Sequence, residues 1–294
     1  MVVSTASMMA GSLTSDYALG NTDAEHGRLM RQAARLAPLT ERLFREAGIG
    51  RGQRVLDLGS GIGDVAMLAA RLVGPSGEVV GVERDSRSIA RARARIADSD
   101  LHNVSFTQCN ASQVASDKPF DAAVGRLILE FLPDPVAVLR SVSQLVRPGG
   151  VLAFHEPSWA PALAITAHLP LWSAAVSLQC ETLKRSGANT EMGLALYRTF
   201  QEAGLPAPTV SLELPLGSDP DFIRWIYDVL CSLRPQIEQF NLSIEKLGDF
   251  EELPRRLQSE VERSKTVVSW MGMVGAWSHK PTDEAYLSKQ SADT

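Results

Sequence analysis

The chain has 294 residues, 45% of them apolar, and a formal net charge of −5, enough for a large buried core and no basis for a general attraction to nucleic acid or to an anionic membrane surface. Cys109, Cys180 and Cys231 are odd in number, widely spread and form no CxxC pair, so neither a disulfide framework nor a metal site is indicated and a cytoplasmic setting is expected. No basic leader followed by an apolar run stands near Met1, and no stretch reaches the roughly 18 apolar residues of a membrane span, so neither secretion nor membrane insertion is expected.

In chain order, residues 1–22 read as a flexible segment rich in Ser, Thr and Ala, with Tyr17 its most notable side chain. Asp23 caps a helix over 24–36 that has Leu29, Ala33 and Leu36 on one face. Glu25, Arg28 and Gln32 follow another face, either converging on a pocket or forming a solvated stripe. A second helix over 39–47 stops at Gly48. The strand 54–58 then runs into Gly59, Gly61 and Gly63 and an alanine-rich helix over 65–72. Glycine lets a ligand approach bare backbone at a helix N-terminus. The dinucleotide fingerprint G-x-G-x-x-G fails, because the position of its third glycine is Asp64. Asp57, just ahead of the turn, repels a diphosphate and favours a cationic ligand.

A strand over 78–82 ends at Glu83, 83 − 63 = 20 residues beyond Gly63, where a doubly wound sheet holds the acid that binds ribose hydroxyls. In the helix 86–97 and just before it, Arg84, Arg87, Arg91 and Arg95 share a face that reads as solvated, except that Arg84 is placed to flank a bound base. The strand 103–108 leads to Cys109-Asn110-Ala111-Ser112, a polar turn suited to an adenine edge. The strand 121–125 leads to Arg126, then come a helix over 136–146 and a strand over 151–154. This β-α alternation predicts a parallel α/β sheet with ligands at the carboxyl ends of its strands. Beyond Glu156 a mostly helical apolar stretch (157–187) is followed by a helix (192–203), a strand (209–214), two more helices (219–234, 255–265), a strand (266–277) and a polar tail (281–294). No repeat or flexible linker divides the chain, so residues 23–280 are expected to form a single domain with helical insertions at about 157–187 and 218–265.

Five motifs stand in order: VLDLGSGIGD at 55–64, VVGVERD at 79–85, CNAS at 109–112, FDAAVGRLILEFLPDP at 120–135 and RPGGVLAFHEP at 147–157. In these the chain resembles the class I S-adenosylmethionine-dependent methyltransferases of the small-molecule, quinone-biosynthesis-like group. The resemblance implies a Rossmann-like fold with a seven-stranded mixed sheet, its last strand antiparallel between the fifth and sixth, and S-adenosylmethionine as cofactor. It also implies roles: Gly59, Ser60 and Gly61 beneath the cofactor's amino-acid part, Asp57 at its cationic end, Glu83 on the ribose, and Arg84 beside the adenine. Asn110, Ala111 and Ser112 are implied at the adenine edge, Arg126 near the methionine moiety, and Tyr17 and Gln32 closing over the cofactor. Asn110 stands where the family often has Asp and keeps a carbonyl acceptor.

Methyl transfer from a sulfonium needs an aligned acceptor and a water-poor pocket more than a nucleophile or a metal. His155, at the end of the fifth strand, is the candidate base for an acceptor that must lose a proton, with an orienting role as the alternative. Trp159, Trp172, Phe222 and Trp225, with Tyr227, are the candidate substrate-binding aromatics, although aromatic residues at helical spacing also build cores. Together these features predict methylation of a small apolar or aromatic natural-product or quinone-like acceptor, at oxygen or nitrogen ahead of carbon. An NAD(P)-dependent oxidoreductase and a non-catalytic cofactor-binding protein are the rival readings.

Overall fold

A computed structural model describes residues 23–282. The first half alternates helix and strand: α1 (Asp23–Glu46), β1 (Arg54–Leu58), α2 (Asp64–Val73), β2 (Glu78–Glu83), α3 (Ser86–Ala97), β3 (Val104–Gln108), β4 (Phe120–Arg126), α4 (Pro135–Leu145) and β5 (Val146–Ser158). Three helices follow, α5 (Ala160–Ile165), α6 (Pro170–Arg185) and α7 (Met192–Glu202), then β6 (Thr209–Glu213) and the short β7 (Leu216–Gly217). The chain ends in α8 (Pro220–Ser232), α9 (Arg234–Gln239), α10 (Leu253–Ser264), the short β8 (Val268–Ser269) and β9 (Gly272–His279). Among the described residues no helix is long and apolar enough to cross a membrane.

The sheet has seven strands in the order β3-β2-β1-β4-β5-β9-β6. β1 pairs in parallel with β2 and β4, while β9 runs antiparallel to both β5 and β6, as the resemblance implies. Strands covered on both faces read as continuous apolar runs, and Val55, Leu56 and Leu58 of β1 are fully buried. One face packs against α2, α3 and the second half of α1, through Phe44, Ala66, Ala69 and Ile89. The other packs against α4 and α7, through Leu139, Val142, Leu196 and Phe200. A third apolar core joins α6, α8, α9 and α10 to Leu36 of α1 and to Trp159 and Trp270. Strand order reverses between β1 and β4, so their carboxyl ends flank the crevice where doubly wound sheets bind ligands.

Three elements differ from expectation. The two helices predicted at 24–36 and 39–47 are one, α1, which continues through Pro38. Proline there removes one backbone hydrogen bond, but the helix beyond it buries Leu43 and Phe44 and is tied to the sheet through Thr40. β5 begins at Val146 because Arg147–Gly150 is an irregularity within the strand, marked by a register shift against β4. The predicted strand 266–277 is two, because β8 turns aside to pair with β7 before β9 enters the main sheet.

Candidate active site

The turn after β1 is built from positive-φ glycines, Gly59 (φ 67°), Gly61 (φ 50°) and Gly63 (φ 88°). A Cβ at Gly59 would lie 2.5 Å from Ile128 Cδ1, whereas a Cβ at Gly61 would meet nothing within 4 Å. One glycine is therefore required by the neighbouring loop, and the other leaves bare backbone facing open space. The Ser60 amide donates to Val82 O at 2.9 Å, joining the turn to β2. Glu83 closes its far side: Oε2 accepts the Gly61 N–H at 3.0 Å, and Oε1 accepts the Arg84 and Asp85 amides at 2.8 and 2.9 Å. A carboxylate has about four lone-pair directions, so capacity remains for a hydroxyl donor. The Arg84 side chain is exposed. Asn110 Oδ1 accepts both the amide and the hydroxyl of Ser112 at 3.1 Å, shaping the Ala111–Gln113 turn at the same edge.

Within this crevice Asp57 is only 1% exposed, and among the described residues neither of its carboxylate oxygens has a hydrogen-bond partner; Ser60 Oγ is likewise buried without one. Burial drives the Asp57 pKa well above the usual carboxylate range, against the opposing pull of the Arg126 charge and of the nearby Ala66 amide, whose geometry falls short of a full hydrogen bond. An uncompensated buried carboxylate beside bare glycine backbone fits the cationic amino-acid end of S-adenosylmethionine. The position of the missing third glycine fits no diphosphate, since Asp64 at the start of α2 is held by Arg95 at 2.7 Å. Arg95, expected to lie on a solvated face, reaches back to Ile62 O as well.

At the ends of β4 and β5 the same sheet face carries Arg126 and His155, which are paired in register. Thr40 of α1 lies over both: its Oγ1 donates to Leu36 O at 3.1 Å, lies 3.1 Å from His155 Nδ1, and accepts from Arg126 Nη1 at 3.1 Å. His155 is 1% exposed, and burial followed by the Arg126 charge lowers its pKa to about 3. Such an imidazole stays neutral, but its low proton affinity suits orientation better than proton abstraction. On the opposite face Glu156 accepts the amides of Ile128, Leu129 and Glu130 at 3.0–3.2 Å, and burial pushes its pKa up to about 7 against those hydrogen bonds. Leu127 between them has φ 55°, an uncommon conformation for a side-chain-bearing residue, fixed by its N–H on His155 O at 3.0 Å.

The four candidate substrate aromatics, Trp159, Trp172, Phe222 and Trp225, are all buried in the helical layer. Trp159, Trp225, Trp270 and Phe222 stack in sequence, with centroids 6.2, 4.4 and 4.5 Å apart. Among the described residues the indole nitrogens of Trp159 and Trp172 are buried without hydrogen-bond partners, whereas Trp225 Nε1 donates to Gln32 Oε1 at 3.0 Å. Arg28 Nη1 donates to that same oxygen at 2.7 Å, and Ser232 Oγ donates to Glu25 at 2.6 Å. The stripe Glu25, Arg28 and Gln32 is thus buried against α8 rather than solvated. Tyr17 lies outside the described residues. Sequence reasoning missed Thr40, Glu156 and Glu191. Glu191 accepts the Trp159 and Ala160 amides at 3.1 and 2.9 Å, a contact no local pattern announces.

A family model described as a methyltransferase domain matches residues 49–204. The ubiquinone/menaquinone biosynthesis C-methyltransferase UbiE of Serratia proteamaculans is 36% identical over 120 residues, 39% of this chain and 48% of that protein. An arsenite methyltransferase of Halobacterium salinarum is 32% identical over 111 residues, 37% of this chain and 28% of that protein. The chain spans less than half the length of these curated relatives. Among solved structures, the YcgJ protein of Bacillus subtilis aligns with TM-score 0.54 at 15% identity over 83% of this chain and 97% of that one. The [4+2]-cyclase SpnF aligns with TM-score 0.53 at 20% identity over 84% and 82%. At such identities these two speak for the fold alone.

Proposed function

Because this chain belongs to the class I S-adenosylmethionine-dependent methyltransferases, the family whose methyltransferase domain its residues 49–204 match, we propose that it methylates a small, apolar or aromatic acceptor of natural-product or quinone-like chemistry. The observation that carries the donor half of this reading is Asp57: a buried carboxylate without a hydrogen-bond partner among the described residues, at the foot of an open glycine turn. S-adenosylmethionine supplies an electrophilic methyl on a sulfonium. The residues around the crevice bind and orient. The turn Gly59-Ser60-Gly61 offers backbone to the amino-acid part, Asp57 its negative charge, Glu83 its remaining acceptor capacity to the ribose, and Arg84 with Asn110, Ala111 and Ser112 a rim for the adenine.

The acceptor half rests on the apolar seam where the helical layer meets the carboxyl edge. Leu127 and Phe131 of the β4 loop pack there on the core that includes Trp159 and Trp225. An acceptor bound at this seam would be shielded from water and aligned by apolar walls, which is most of what methyl displacement requires. In this reading His155 orients Thr40 and Arg126, and acceptors that need no strong base come first: an unprotonated amine or an electron-rich carbon, the latter also named in the relatives called C-methyltransferases. A phenolic oxygen already ionised in solution is a further fit.

The experiment is mass spectrometry of reactions containing S-adenosylmethionine and a panel of phenols, quinols, aromatic amines and free amino acids. A mass gain of one methyl on an aromatic member, with S-adenosylhomocysteine released, is the expected result. Turnover confined to free amino acids removes the apolar-acceptor assignment, and tight cofactor binding without turnover on any member turns the reading toward a non-catalytic cofactor-binding protein.

A further inference from the structure

We infer that the helical layer holds a second ligand site, separate from the cofactor crevice, that binds a phosphate monoester with an apolar stem. The site is a cavity of about 580 Å³ between the turn Glu245–Leu247, α10 and the start of α6, within the roughly 300–1,000 Å³ of small-molecule pockets. None of its lining residues belongs to the crevice.

Four cations line it, Lys246, Arg255, Arg256 and Arg263, against one acid, Glu260. That acid is committed elsewhere, because it is buried and its two oxygens accept the Leu171 and Trp172 amides at 2.8 Å. Arg255 pairs with Glu252 at 2.6 Å, and the half-buried Arg256 donates to Leu247 O. Among the described residues no carboxylate forms an ion pair with Lys246, Arg256 or Arg263. In a chain of net charge −5, this concavity is left positive.

Solvated arginines elsewhere in the molecule are arranged differently. Arg45, Arg185, Arg224 and Arg234 each meet an acid one turn away on the same helix, the usual state of a charged helix face. On α10 the residues Arg256, Ser259 and Arg263 follow one another at steps of three and four, and the neighbouring Glu262 is turned to Gln258 Nε2 at 2.7 Å. The facing wall is apolar: Leu171 and Ala174 pack on the core of the helical layer, with Pro170 beside them. A bare inorganic anion would use only the cationic side, and a flat acidic protein face would not fill a cavity. A phosphate monoester carries close to two charges near neutrality and three acceptor oxygens, which guanidinium forks match in pairs, and its stem would lie on the apolar wall.

Calorimetric titration of the full chain with butyl phosphate tests this, with S-adenosylhomocysteine present to fill the crevice and with inorganic phosphate, butanol and a polyglutamate peptide as comparisons. Wild type is expected to bind butyl phosphate at least about tenfold tighter than inorganic phosphate, the scale of two buried CH₂ groups, less tightly as salt is raised, and to give no signal with butanol. Lys246→Glu and Arg263→Glu, both at exposed positions, should each weaken butyl phosphate about tenfold or more, the scale of a lost charge-assisted contact. If thermal melting shows either charge reversal unfolded, Lys246→Gln and Arg263→Gln serve in its place. No binding of butyl phosphate by wild type, or undiminished affinity in both variants, overturns the site. Equal affinity for butyl phosphate and inorganic phosphate, or for butyl phosphate and butanol, overturns the ligand class, and tighter binding of polyglutamate overturns it in favour of an acidic protein segment.

Discussion

His155 and Glu156 are chain neighbours on opposite faces of β5, and burial moves their titrations in opposite senses. His155 falls from its usual 6.5 to about 3. Between those values the unfolded chain holds a proton that the folded chain refuses, so this residue makes stability rise with pH across that window. Glu156 climbs from 4.5 to about 7. Across its window the folded chain keeps a proton that the unfolded chain has lost, so stability falls as pH rises. The two slopes oppose each other between about pH 4.5 and 6.5. Urea unfolding as a function of pH should therefore show a steeper rise in Glu156→Gln than in wild type over that interval, and a flatter or falling curve in His155→Gln. Parallel curves for all three proteins would refute the two assignments. Neither property is legible in the string His-Glu-Pro, because each depends on what α1 and the β4 loop lay against the strand.

At the scale of elements, four glutamates do work for segments remote from their own. Glu83 gathers the glycine turn, Glu156 the turn Leu129–Phe131, Glu191 the start of α5 and Glu260 the start of α6 through the Leu171 and Trp172 amides at 2.8 Å. α5 and α6 lack a side-chain cap of their own, so these distant carboxylates satisfy amides that would otherwise be orphaned. Glu191→Ala should cost about 1–3 kcal/mol and speed amide exchange selectively over residues 160–165, while exchange in β1 and β4 stays as in wild type. Uniform exchange change would show that the carboxylate props the whole fold. Elements with local signals were readable: the strands before glycine turns, and α8 behind the turn Ser218-Asp219-Pro220. Long-range ties were not. Pro38 signalled a helix end that tertiary packing overrides, the polar stripe of α1 had its partner in α8 almost two hundred residues away, and the aromatic repeat of α8 is buried in the helical layer. The crevice itself was legible from Asp57, the glycines and Glu83, because these lie within one β-α-β unit.

For the molecule as a whole, the half matched by the methyltransferase-domain model and the helical layer are bound together by the sheet. The methyltransferase-domain match ends at residue 204, yet β5 has its far edge covered by β9, and β9 in turn carries β6. A fragment ending at residue 204 would expose β5 as a long apolar edge, a template for aggregation. Expressed alone, it should be recovered as soluble aggregate or as a species that binds hydrophobic dye and lacks near-ultraviolet dichroism, whereas a monomeric fragment with a native-like cooperative melt would show that the first five strands suffice. The place of β9 has a kinetic side as well. The last of the described strands is an interior one, so β6 has no place in the sheet until β9 has inserted beside a strand more than a hundred residues earlier. Closing so long a loop before its contacts can form is slow, and refolding should show a late phase in which the sheet's outer third and the helical layer above it arrive together.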